Sequence, residues 1–135
     1  MKVIEVEAVK DNLEKIIDFI KDELSDFDCP SKTIMKIRLA VEEIFVNIAS
    51  YAYSEKSGNV TIGVDIVNNP KAVVITFTDN GKKFNPLLKE DPRLDIPIED
   101  RKEGGLGIYL VKNSMDEYAY NYKKNQNNLI IKKFL

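Results

Sequence analysis

The sequence contains no histidine and a single cysteine, Cys29. No Ser-His-Asp or Cys-His relay can therefore be assembled within the chain. Neither a histidine-rich nor a multi-thiolate zinc site is possible, no phosphohistidine can be carried, and no internal disulfide can form. Any acid–base chemistry must use a carboxylate, a lysine or a tyrosine. An excess of one charge is also missing. Twenty Lys and Arg stand against 22 Asp and Glu, a net charge of −2, which excludes a general nucleic-acid binder. No apolar run approaches the roughly 20 residues that span a bilayer, and the N-terminus alternates rather than building a signal peptide. The expectation is a soluble, cytoplasmic protein without membrane or nucleic-acid partners. Glycine is scarce as well, with six in 135 residues, yet three fall at Gly104, Gly105 and Gly107.

A chain of 135 residues with 44% hydrophobic and 31% charged residues suits one domain, residues 1–135, with a real core. "KVIEVEA" (2–8) alternates as a strand. "DNLE" (11–14) predicts a helix start with Asp11 as cap and Glu14 three residues on, and helical spacing continues to about Asp26. After "CPSK", a longer helix is predicted from near Ser31 to Ala52, with the stripe Ile34, Ile37, Val41, Ile44 and Ile48. "NVTIGVDIV" (59–67) and "AVVITFTD" (72–79) read as a hairpin around "NNPK". Residues 80–103 hold three of the five prolines and no clear period, a long loop of the kind that is usually functional. A third helix follows the glycines, with Leu106, Leu110 and Val111 toward the core. "EYAYNYKK" (117–124) and "NLIIKKFL" (128–135) then pair around "NQNN". This order predicts an α/β two-layer sandwich, with helices on one face of a mixed, mostly antiparallel sheet.

Three places could hold chemistry. In "AVEEIFVNIASYAY" (40–53), Glu43 and Asn47 are four apart and share a helix face, which Ala40 and Ser50 would leave open to a ligand. A carboxylate can serve as general base and an amide oxygen can ligate magnesium; the pair also suits a plain solvated flank. In "FTDNGKKFNP" (77–86), Asp79 ends a strand before Asn-Gly. That is a turn signal, and also a fixed carboxylate that can accept a hydrogen bond from an amino group, with Gly81 permitting close backbone approach. In "KEGGLG" (102–107), the glycines open a helix whose amides could cradle phosphate, or they form a hinge. The spacing is not that of a Walker A loop.

Taken in order, Glu43-x-x-x-Asn47, Asp79-x-Gly81 and Gly104-Gly-Leu-Gly107 resemble the N box and two glycine boxes of the GHKL (Bergerat-type) ATPase superfamily. "DNGKKFNP" and "EGGLGIYLVKNSMDEYAY" are most similar to its anti-sigma factor serine-protein kinase group, and Lys83, standing where other members have a further glycine, also suits that group. The resemblance implies ATP and Mg²⁺ as ligands. It implies Glu43 as general base, Asn47 as magnesium ligand, and Asp79 and Gly81 at the adenine. Gly104, Gly105, Leu106 and Gly107 would form the phosphate-binding box, and residues 82–103 a lid. Lys82, Arg93, Arg101 and Lys102 are candidates to touch phosphate. The implied function is a serine/threonine protein kinase that phosphorylates a small anti-sigma factor antagonist and binds a sigma factor or similar partner, with homodimerisation plausible. The alternative is an ATP-gated interaction module without kinase activity.

Overall fold

The computed structural model describes residues 1–53, 57–88 and 105–135, the first two residues of the last stretch as backbone only. Strand β1 (Lys2–Glu7) leads through a single 3-10 turn at Lys10–Asn12 into α1 (Leu13–Leu24) and α2 (Ser31–Tyr51). Strands β2 (Asn59–Val67) and β3 (Ala72–Asp79) follow, then a 3-10 turn at Pro86–Leu88, helix α3 (Gly105–Ser114), and strands β4 (Glu117–Lys123) and β5 (Gln126–Phe134). The sheet order is β1-β2-β3-β5-β4. All four strand pairs are antiparallel, so the expected antiparallel majority is complete among the described residues.

Period-two alternation sends one row of each strand to the helices. Val60, Ile62, Val64, Val73, Ile75, Phe77, Leu129 and Ile131 are buried there. The helices answer with Ile16, Ile17, Ile20 and Leu24 of α1 and Ile37, Val41, Ile44 and Phe45 of α2, forming one core between two layers. Full burial of such side chains contributes about 1.5–3 kcal/mol each.

The structure departs from the sequence-based expectation at several points. Helix α1 starts at Leu13 without a side-chain cap, because a 3-10 turn takes up Asp11 and the Asn12 amide reaches back to the Glu7 carbonyl at 2.8 Å. It ends at Leu24 rather than near Asp26. Ala40 is buried rather than on a ligand face, since α2 packs a wide flank that includes Phe45. On α3 the inward positions are Ile108 and Val111, continued by Met115, and Leu110 is exposed. The last hairpin turns at Lys124 and Asn125, both at positive φ (53° and 62°), as a two-residue turn matched to strand twist requires. Lys123 therefore pairs with Gln126, and Asn127 and Asn128 belong to β5 rather than to the turn.

Candidate active site

Helix α2 positions the first pair. Asn47 lines an open cleft at one end of the sheet, beside Ile44 and Ile48 of the same helix. Glu43, one turn earlier, lies against α3. A β-carbon built on Gly107 would fall 2.1 Å from Glu43 Oε2, so any side chain at this position would displace the carboxylate from its place against the first turn of α3. The amides of a helix N-terminus carry partial positive charge, and Glu43 lies beside Gly107 in the first turn of α3.

Strand β3 delivers Asp79 to the same cleft, 5% exposed. Its Oδ1 accepts hydrogen bonds from the Gly81 N–H (2.9 Å) and from the Asn127 amide (3.0 Å). Asn127 is also buried and organises the corner. Its Nδ2 donates to the Lys82 carbonyl at 2.9 Å, while its Oδ1 accepts from the Tyr120 hydroxyl at 2.5 Å and the Phe84 N–H at 3.1 Å. Burial pushes the Tyr120 phenol up; the Phe84 N–H opposes this and the charge of Asp79 adds to it.

The loop after β3 is fastened to the end of α2. Lys82 N–H donates to the Ala52 carbonyl at 2.8 Å. A β-carbon on Gly81 would meet that same carbonyl oxygen at 2.3 Å, so Gly81 allows the loop to lie on the helix end. The Tyr53 hydroxyl donates to the Asn59 carbonyl (2.7 Å) and accepts from the Asn80 N–H (2.9 Å). Its phenol is raised, first by burial and further by Asp79, against the lowering effect of the Asn80 N–H.

Of the residues singled out in the sequence, Asn47, Asp79 and Lys82 line one cleft, and Glu43 meets Gly107 beside it. Gly105 opens α3. Gly104, the Leu106 side chain, Arg93, Arg101 and Lys102 lie outside the described residues. Asn127, Tyr53 and Tyr120 were not anticipated. The signal for Asn127 was its alternation with Leu129 and Ile131, hidden by a run of turn-forming residues; Tyr53 carried none.

The cleft suits a flat base with an exocyclic amino group. Ile44, Ile48 and Leu129 give apolar walls, and Asp79 is a carboxylate held in place by two donors. No group of three or more acidic, cysteine or histidine residues among the described residues could hold a metal alone. A magnesium ion here would share Asn47 with phosphate oxygens, as magnesium commonly does.

A family model described as histidine kinase-like ATPase domain matches residues 6–133. The chain belongs to this family. Among curated relatives, it is 33% identical over 88 residues to the serine-protein kinase RsbW of Bacillus thuringiensis (strain Al Hakam), covering 62% of this chain and 54% of that protein. It is 33% identical over 85 residues to the RsbW of Bacillus mycoides (strain KBAB4), covering 60% and 52%. The chain thus matches about half the length of these relatives. Among solved structures, the RsbU and RsbW domains of a Mycobacterium tuberculosis protein superpose with a TM-score of 0.68 at 12% identity, over 100% of this chain and 33% of that one. The histidine kinase domain of an Erythrobacter litoralis blue-light activated kinase gives 0.61 at 20% identity, over 93% and 60%. These likenesses show the fold. No helix among the described residues of this histidine kinase-like ATPase domain is long and apolar enough to cross a membrane.

Proposed function

We propose that the chain is an ATP-dependent serine/threonine protein kinase that acts on a small anti-sigma factor antagonist. The observation that carries this reading is the juxtaposition on α2. Asn47 opens into the cleft closed by Asp79, while Glu43, one turn away, faces the glycine start of α3. A nucleotide whose base lies at Asp79 would extend its phosphates past Asn47 toward Gly107. The Gly104–Gly107 segment would offer amides to them, with Leu106 between the glycines, and Asn47 would share a magnesium ion with their oxygens.

ATP is the substrate that supplies the transferable phosphoryl group. Glu43 orients the acceptor hydroxyl and takes its proton as the new O–P bond forms. The bond between the γ-phosphorus and the β,γ-bridging oxygen breaks, and the electron pair leaves with ADP. Little covalent help is needed from the protein, since positioning and charge stabilisation supply most of the acceleration. The 33% identity to proteins named serine-protein kinase supports this assignment. A sigma factor or similar protein as the regulated partner, a homodimer and a cytoplasmic location complete the proposal.

The test is transfer of labelled γ-phosphate to the antagonist. Glu43→Gln should lower the transfer rate by about 10²–10⁴-fold, the usual worth of a general base, with MgATP affinity kept. Asn47→Ala and Asp79→Asn should weaken MgATP binding itself. Full transfer by Glu43→Gln would remove the base assignment. MgATP binding with no transfer by the unmodified chain would favour an ATP-gated interaction module.

A further inference from the structure

The α2 ridge that carries the candidate site continues beyond it. Stepping back four residues at a time, Asn47 and Glu43 are followed by Leu39 and Met35, which are 47% and 64% exposed. Residues four apart on a helix are neighbours, so these side chains form a ridge that drifts slowly around the helix from the cleft toward solvent. Ile37, Val41 and Ile44 hold the opposite, core-facing side. Helix α3 runs antiparallel beside it, because Gly107 meets Glu43 at one end and Asp116 lies in the field of Lys36 at the other. That alignment brings Leu110, 42% exposed, to the level of Leu39. Three large apolar side chains thus crop out along the ridge that leads from the carboxylate assigned as the base.

The charges divide along the ridge, basic at its far end and acidic next to Leu39 at the site end. Residues 31–40 contain Lys32, Lys36 and Arg38 and no carboxylate; the two carboxylates of α2, Glu42 and Glu43, stand at the site end. Arg38 is turned to α1, where it pairs with Glu14 at 2.6 Å, which leaves Lys32 and Lys36 on the ridge side. Met35 is eight residues from Glu43, about 12 Å along the axis at 1.5 Å per residue. That lies well inside the footprint of an interface burying about 800 Å² per partner. Glu43 is partly exposed, so a hydroxyl carried by a folded domain can approach it from solvent along this ridge.

We propose that Met35, Leu39 and Leu110 form the docking surface for the phosphoryl-acceptor protein, whose contact face is apolar with an acidic rim that meets Lys32 and Lys36. The proposal rests on the kinase reading above and specifies where the acceptor sits. Neither Met35 nor Leu39 lines the nucleotide cleft, so docking and nucleotide binding are separable.

The experiment compares the unmodified chain with Met35→Glu/Leu39→Asp and with Lys32→Glu, using the purified antagonist domain of the same organism as probe. Acceptor binding is measured by calorimetry in the presence of MgADP, phosphoryl transfer at subsaturating acceptor, and MgATP affinity separately; circular dichroism verifies folding. The double variant should weaken acceptor binding and slow transfer at least tenfold while MgATP affinity stays within twofold. Lys32→Glu should weaken acceptor binding severalfold at low salt and much less at high salt. Acceptor binding unchanged in the double variant overturns the docking surface, as does failure of the unmodified chain to bind the acceptor. A concentration-dependent dimer that only the double variant loses, in sedimentation, overturns it in favour of self-association. If the unmodified chain binds the acceptor without phosphorylating it, the kinase reading fails while the binding comparison still decides the surface.

Discussion

Asn127 is a neutral amide with the work of a keystone. It joins the Asp79 carboxylate, the Lys82 carbonyl, the Phe84 N–H and the Tyr120 hydroxyl. Replacing it with alanine leaves several buried groups unpaired, at about 1–3 kcal/mol for each such group that water cannot reach. Asn127→Ala should therefore lower the urea midpoint clearly and weaken MgATP binding with it. Loss of binding at unchanged stability would instead give Asn127 a role confined to the ligand. Gly107 makes a sharper case. In Gly107→Ala the new methyl collides with Glu43 Oε2, so the carboxylate must swing away; phosphoryl transfer should fall by more than tenfold while circular dichroism stays unchanged. At this scale legibility was uneven. Glu43, Asn47, Asp79 and Gly81 stand in spaced motifs, and the order of those motifs along the chain singles them out. Asn127 sits among lysines and asparagines that favour turns, and only the observed register shows that it faces inward.

Helix α2 does three things at once. Its Ile37, Val41, Ile44 and Phe45 form much of the core, Glu43 and Asn47 edge the candidate site, and its C-terminal end anchors the loop after β3 through Ala52 and Tyr53. The core stripe was readable from helical spacing, but the anchoring was not, because it depends on the loop folding back across 30 residues of chain. The start of β4 is fixed differently. Asp116 accepts from the Phe134 N–H at 2.7 Å and pairs with Lys133 at 3.3 Å. Burial alone would push its carboxyl up, but the Phe134 N–H and the Lys133 ammonium outweigh it and hold it below the ordinary aspartate value. A depressed carboxyl stabilises the fold above its unfolded value, and this is lost as pH falls through the folded one. Asp116→Asn should thus have a lower urea midpoint than the unmodified chain at pH 7, with the gap closing as the pH drops below about 3.9, the reference for a free aspartate. A gap that persists at pH 2 would show that the charge is not its source.

For the whole molecule, the strand and helix order was legible because each strand alternates and each helix carries one stripe. The β3–β5 neighbourhood was not, since it brings together strands separated by a helix and another strand. That neighbourhood creates the site's corner, where Asp79 and Asn127 face each other across the ladder. The cleft it forms shares Ile44 and Leu129 with the core, so ligand binding and global stability should be coupled. MgATP at a hundredfold over its dissociation constant should stabilise the fold by about 2.7 kcal/mol, read as a rise in melting temperature that Asp79→Asn abolishes.

The aromatic content of the cleft has an optical consequence. The chain has no tryptophan and six tyrosines. Tyr51 and Tyr120 line the cleft, and the Tyr53 hydroxyl binds the loop beside Asp79. Two of the six tyrosines therefore line the cleft and a third stands beside it, so a change in tyrosine emission on adding nucleotide offers a label-free titration, in which each tyrosine-to-phenylalanine exchange tests one side of the cleft.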